Sequence, residues 1–143
     1  MKKSLSVVLV LLLLILSMSG CHSNLDLDKT VEKLKSEGLT VIADYTTADE
    51  LIDLNTSMNA GIRREGKSDT IAITRAVLML QGEDESTFCM IYECADEDQA
   101  KICADVSIST RSETSDAKIA QKGCAVVLTN LEIVQQVTGL DFK

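Results

Sequence analysis

Proline and tryptophan are absent from this chain, histidine occurs once, and aromatic residues make up 3% of its 143 positions. Only Tyr45, Tyr92, Phe88 and Phe142 supply rings. Stacking platforms for bases or sugars need such rings on exposed faces, so a carbohydrate or single-strand reader is disfavoured. The one histidine is His22, outside the periodic part of the chain. Ser-His-Asp and Cys-His devices need a histidine seated in a cleft and are excluded with it. Glycine-rich phosphate loops are missing as well: Gly61 and Gly66 lack the strand-to-helix context of a P-loop, despite Lys67-Ser68 beside them. The core falls to Ile, Leu, Val, Ala and Met.

What is present begins with a leader. Lys2 and Lys3 form a positive n-region, Val7 to Leu16 is a ten-residue apolar run, and Ser17-Met18-Ser19-Gly20 leads through small residues to Cys21. A membrane-spanning helix needs about 20 apolar residues, so the run reads as the core of a cleavable export signal. Met18, Ser19, Gly20 and Cys21 resemble the lipobox of bacterial lipoprotein signal peptides, with Met18 where leucine is usual. The resemblance implies cleavage before Cys21, a diacylglyceryl thioether on its sulfur and commonly an acylated amine. The partner is then the membrane, held through lipid on the extracytoplasmic face. Each buried CH₂ contributes ~0.8 kcal/mol, so two acyl chains anchor stably where one does not.

The expected division is a signal peptide over 1–20, the lipidated cysteine and a tether over 21–26, and a single α+β domain over 27–143. Cleavage leaves 123 residues, enough for one core. The formal charge of −8 becomes −10, because Lys2 and Lys3 are the only charges removed. So acidic a domain is repelled by phosphate backbones and anionic head groups, which argues against nucleic acid as a partner and against lying flat on a membrane.

Along the domain, Leu27, Val31 and Leu34 share a helical face over 28–37, and Gly38 suits a left-handed C-cap. Asp26, Asp28 and Glu37 do not make a calcium loop, since Val31 stands where the needed glycine would be. Leu39 to Tyr45 alternates as a strand. Thr47 with Glu50 is a capping box opening a second helix, expected to run from about Ala48 to Ala60 and to end at Gly61. Arg63 to Asp69 reads as a charged loop, with Arg63, Arg64 and Lys67 as a lone basic patch.

Thr70 to Leu80 and Ser86 to Cys94 then form a hairpin across the acidic turn Gln81 to Glu85. Asp96 and Gln99 open a third helix that should end within Ser107 to Ser115. Lys118 to Leu128 reads as one last strand bent at Gly123, and Asn130 as the cap of a final helix stopped by Gly139. The inner order predicts a ferredoxin-like split βαβ core, βαββαβ, with an antiparallel sheet, helices on one face, and one extra helix at each end. The helix ending in Gly38, the central hairpin and the Gly123 strand leading to a terminal helix together resemble small uncharacterised lipoproteins of Gram-positive bacteria. That resemblance implies a location and a fold, and brings no catalytic residue with it.

Four further cysteines remain: Cys89, Cys94, Cys103 and Cys124. An even number in an exported domain permits two disulfides, with three connectivities. Cys89 and Cys94, five apart, point to opposite faces of a regular strand and cannot bond each other. Cys94, just before the helix that carries Cys103, makes Cys94 with Cys103 the favoured pair for a disulfide or thiol site. The spacings match neither zinc nor iron–sulfur frameworks, and apolar neighbours equally suit buried free thiols. The acidic groups Asp49-Glu50, Glu83-Asp84-Glu85 and Asp96-Glu97-Asp98 fit helix starts and a hairpin tip better than glycosidase carboxylates or a cation site.

No catalytic residue, cofactor or metal site is therefore expected. The leading expectation is a lipid-anchored, non-catalytic domain that binds a protein or small molecule or assists an envelope complex. The alternative is a thiol-based redox or metal-handling lipoprotein.

Overall fold

Asp26 turns the chain into its first helix by accepting the Lys29 amide at 3.1 Å. In the computed structural model, residues 25–112 and 115–143 are described, and the expected signal, Cys21 and His22 lie outside them. The elements in order are α1 (Leu27–Ser36), β1 (Leu39–Tyr45), α2 (Ala48–Arg64), β2 (Ile73–Gln81), β3 (Asp84–Cys94), α3 (Glu97–Ser109), β4 (Lys118–Lys122), β5 (Ala125–Thr129) and α4 (Glu132–Thr138). The protein is a mixed α+β domain.

The five strands form one antiparallel sheet in the order β1-β2-β3-β5-β4. This differs from the expected ferredoxin-like order at two points. First, β1 pairs directly with β2 in antiparallel register, Leu39 opposite Gln81 and Tyr45 opposite Ala76. In a split βαβ unit the helix alone carries the chain back, which makes the flanking strands parallel. Here residues 65–72 run back alongside α2, so β2 starts near the end where β1 stopped.

Second, the expected last strand is two. Gly123 takes φ 57, a left-handed angle that suits glycine, and folds β4 back onto β5 through a tight turn. Because β5 is antiparallel to both β3 and β4, those two run parallel with β5 between them. The second half therefore keeps one split βαβ unit, β3-α3-β4.

Helices cover both faces, not one. Val77, Met79, Cys89, Ile91 and Val127 pack with α1 and α4 through Leu34 and Val134. Ala76, Tyr92, Cys94, Ile119 and Val126 pack on the other side with α2 and α3 through Ile62 and Cys103. Strands buried on both sides need apolar residues at successive positions, hence the runs Ala76-Val77 and Ile91-Tyr92. Burying Leu34, Ile62, Met79 and Ile91 completely contributes ~1.5–3 kcal/mol each before entropy is counted.

Two helix ends also differ from expectation. Gly61 sits inside α2, where a Cβ would come to 3.4 Å from Val106 Cγ1, so the small residue admits α3 closely. The helix continues to Arg64, and Gly66 follows with φ 73. Asn130 does not cap α4. Its side chain accepts the Phe88 amide at 2.9 Å and donates to the Ser86 carbonyl at 2.6 Å, clamping the start of β3.

At one sheet edge, Ile119 of β4 exchanges backbone hydrogen bonds with Lys143 at 3.0 and 2.9 Å. At the other edge, β1 carries a bulge at Ile42, which the register skips. Among the described residues no helix is long and apolar enough to cross a membrane.

Candidate functional site

The sequence pairs Cys94 with Cys103, and the structure brings them together. Cys94 is the last residue of β3 and is pinned by its amide to the Cys124 carbonyl at 2.9 Å. Two residues on, Asp96 accepts the Gln99 amide at 2.8 Å and opens α3, which lies back over the sheet. Ala100, Cys103, Ala104 and Ser107 form the buried stripe of that helix at helical spacing. Cys103 therefore faces the end of β3.

Cys94 and Cys103 are free thiols in the same buried cluster as Tyr92, and Ser107 follows Cys103 one helical turn on along the buried stripe. The contact with Cys103 lowers the pKa of Cys94. The proximity of Cys94, together with burial, raises that of Cys103. Of the two, Cys94 is the easier to ionise. Tyr92, on the same face of the sheet, is pushed up to about 12 by burial first and by the two neighbouring sulfurs after it. Tyr92 and Ser107 also line a cleft of about 390 Å³.

The remaining cysteines lie elsewhere. Cys89 faces the opposite side of the sheet among α1 and α4, and burial pushes its thiol up to about 12. Cys124 is fully buried in the β4–β5 turn. Among the described residues no three His, Cys, Asp or Glu side chains converge as a metal site.

The largest concavity described, about 750 Å³, lies beside α2 and the start of β2 and is lined by Leu51, Ile52, Asn55, Asn59, Arg63 and Thr74 among others. Its wall is built by a device that sequence reasoning missed. Asn55 donates to the Ile73 carbonyl at 3.0 Å and accepts the Ile73 amide at 2.7 Å. One helical turn on, Asn59 does the same for Ile71, with both bonds at 2.9 Å. Two side-chain amides thus replace a neighbouring strand for residues 71–73. The available signal was two asparagines at i and i+4 inside an amphipathic helix, a spacing that puts both on one face.

Ile52, 61% exposed, stands at the rim of this groove. Of the expected basic patch, Arg63 lines the groove from the last turn of α2, beside Arg64, and exposed Lys67 follows. The acidic groups serve the fold. Glu50 Oε2 accepts the Thr46 and Thr47 amides at 3.0 Å each, Asp96 caps α3, and Glu83 lies in the β2–β3 turn. Arg75, inside an apolar strand, bonds Asp44 of β1 and Asp28 of α1, a tie that sequence reasoning did not find.

No family model matches the chain, and neither the curated proteins nor the solved structures include a match.

Proposed function

We propose that this chain is an exported lipoprotein, anchored through lipid on Cys21, whose 27–143 domain works outside the cytoplasm as a non-catalytic binding module. One observation carries the binding role: the α2–β2 groove sets apolar surface beside a few fixed polar groups. Its amides, Asn55 and Asn59, are spent on holding residues 71–73, while Ile52 stands exposed at the rim. Apolar area beside a few polar groups is what a binding cleft supplies. The net charge of −8, or −10 once the leader is removed, favours a protein or small-molecule partner over nucleic acid.

The anchor is tested by intact mass of the native protein from its own membranes, where a lipid increment on a chain beginning at Cys21 is expected. A species starting at Met1 removes the anchor from the reading. The groove is tested by a photo-cross-linking residue placed at Ile52 and, as control, at exposed Glu132 on the opposite side of the sheet. A discrete adduct from position 52 alone supports the groove, and equal or absent labelling at both sites rejects it.

A second reading, thiol-based redox or metal handling, draws on one specific observation, the contact of Cys94 with Cys103.

A further inference from the structure

Three features stand outside the binding groove: the bulged edge of β1, the Arg75 ion-pair junction, and the thiol pair at the end of β3. The first has nothing seated on it to identify an occupant, and the second is satisfied within the fold. The third carries an inference.

We infer that Cys94 and Cys103 form a modification site for disulfide-bearing oxidants, closing into an internal disulfide that fastens α3 to the end of β3. Both sulfurs are free, and the two residues are buried in one cluster, Cys94 at the end of β3 and Cys103 on the inner stripe of the helix that follows it. Closing that gap to an S–S bond of ~2.05 Å is the remaining step. Neither cysteine has a competing partner on its own face among the free thiols, because Cys89 lies across the sheet. The surroundings also separate the two roles. Cys94, whose pKa the proximity of Cys103 lowers, is the attacking group, and Cys103, whose thiol is pushed up, is the resolving one.

The cleft of about 390 Å³ that Tyr92 and Ser107 line has neither cysteine in its wall. Both sulfurs are nearly buried, at 2% and 0% exposure. Exchange therefore proceeds while α3 is lifted from the sheet or is still docking.

The chemistry balances. The Cys94 thiolate attacks one sulfur of the oxidant's disulfide, forming a mixed disulfide and releasing the other sulfur as a thiolate. Cys103 loses its proton to water and attacks Cys94 Sγ, expelling the second thiolate. Two protein thiols are oxidised, one disulfide is reduced to two thiols, and the two protons pass through water to the departing sulfurs.

This deepens the thiol-based reading and does not depend on the lipid anchor, so the two fail separately. The test equilibrates the purified full chain in glutathione buffers running from fully reduced to fully oxidised. Thiols are then alkylated under denaturing conditions and mapped by peptide mass. The expected result is a loss of two hydrogens in a linked Cys94–Cys103 peptide, with Cys89 alkylated throughout. The thermal midpoint should rise on oxidation by on the order of 10 °C. Cys94→Ser and Cys103→Ser should each abolish both changes, and where a variant does not fold, the wild-type linkage map decides alone.

Alkylation of both thiols in oxidising buffer, a stalled glutathione adduct on Cys94, or a linkage of Cys94 or Cys103 to Cys89 or Cys124 overturns the inference. A soft metal ion retained by the reduced pair, seen as a mass increment that blocks closure, overturns it too but leaves a thiol-based role standing. Alkylation without any retained metal removes both.

Discussion

Arg75 grips Asp44 through both carboxylate oxygens, Nε to Oδ1 at 3.0 Å and Nη2 to Oδ2 at 2.9 Å, while its Nη1 reaches Asp28 at 2.8 Å. One guanidinium thereby joins β2 to β1 and to α1, and the contacts raise its pKa further. Arg75→Ala should cost about 1 kcal/mol, a modest figure because Asp28 is 79% exposed and solvent screens the pair. Urea unfolding at low and at about 1 M salt checks this, since screening should erase most of the difference. A loss that salt leaves unchanged would assign the effect to packing of the arginine stem.

Asn55 satisfies both backbone groups of Ile73, a residue only 2% exposed. Asn55→Ala strands a buried amide and carbonyl, and should cost about 1–3 kcal/mol. Hydrogen exchange at the Ile73 amide should accelerate more than exchange at Val77 in mid-strand. Equal acceleration across the sheet would mean that the amide clamp has no local role.

Glu50 is held below its ordinary value of 4.5 by the Thr46 and Thr47 amides first and the Thr47 hydroxyl after them. A carboxylate with a depressed folded-state pKa contributes stability that is present above the unfolded value and fades as pH falls through the folded one. Denaturation midpoints of the wild type should therefore decline below about pH 4.5, and Glu50→Gln should flatten that part of the curve. Asp26, lowered chiefly by the Lys29 amide, continues the same trend at lower pH. Parallel curves for wild type and Glu50→Gln would refute the role given to the capping box.

Gly61 lies in a helix interior where an added Cβ would just touch Val106 Cγ1, at 3.4 Å. Gly61→Ala should stabilise by roughly 0.5–1 kcal/mol through helix propensity, and Gly61→Leu should destabilise by about 1–3 kcal/mol by forcing α3 away. Thermal melts of the two variants should shift in opposite directions. Shifts of the same sign would contradict the close approach.

Cys21→Ser removes the sulfur on which the proposed anchor depends. The variant should remain uncleaved or be shed from the cell, as read by fractionation and intact mass. Unchanged processing and membrane association would end the lipoprotein proposal.

Element types were legible because they rest on local signals: the Thr47–Glu50 box, the 3.6 spacing of Leu27, Val31 and Leu34, and the two-residue period of the strands. Topology was not, because it turned on tertiary partners. Nothing local shows that residues 65–72 run back beside α2 until Asn55 and Asn59 are seen to hold them. Gly123 announced a disturbance in a strand, but a bend and a reversal use the same glycine. The Cys94–Cys103 contact was legible from order alone, since a strand end and the helix after it are neighbours in any such fold. The Arg75 junction was hidden by a sequence separation of 31 residues from Asp44.

At the open side of the sheet, Ile42 sits in a bulge and points 55% of its surface to water. A strand arriving from another molecule would find the rungs out of step at that residue, and bulges are among the ways proteins blunt such margins. The chain can thus leave an apolar side chain in plain view without becoming a seed for fibre growth. Crowding many copies together would then carry little hazard of sheet-to-sheet fusion along β1.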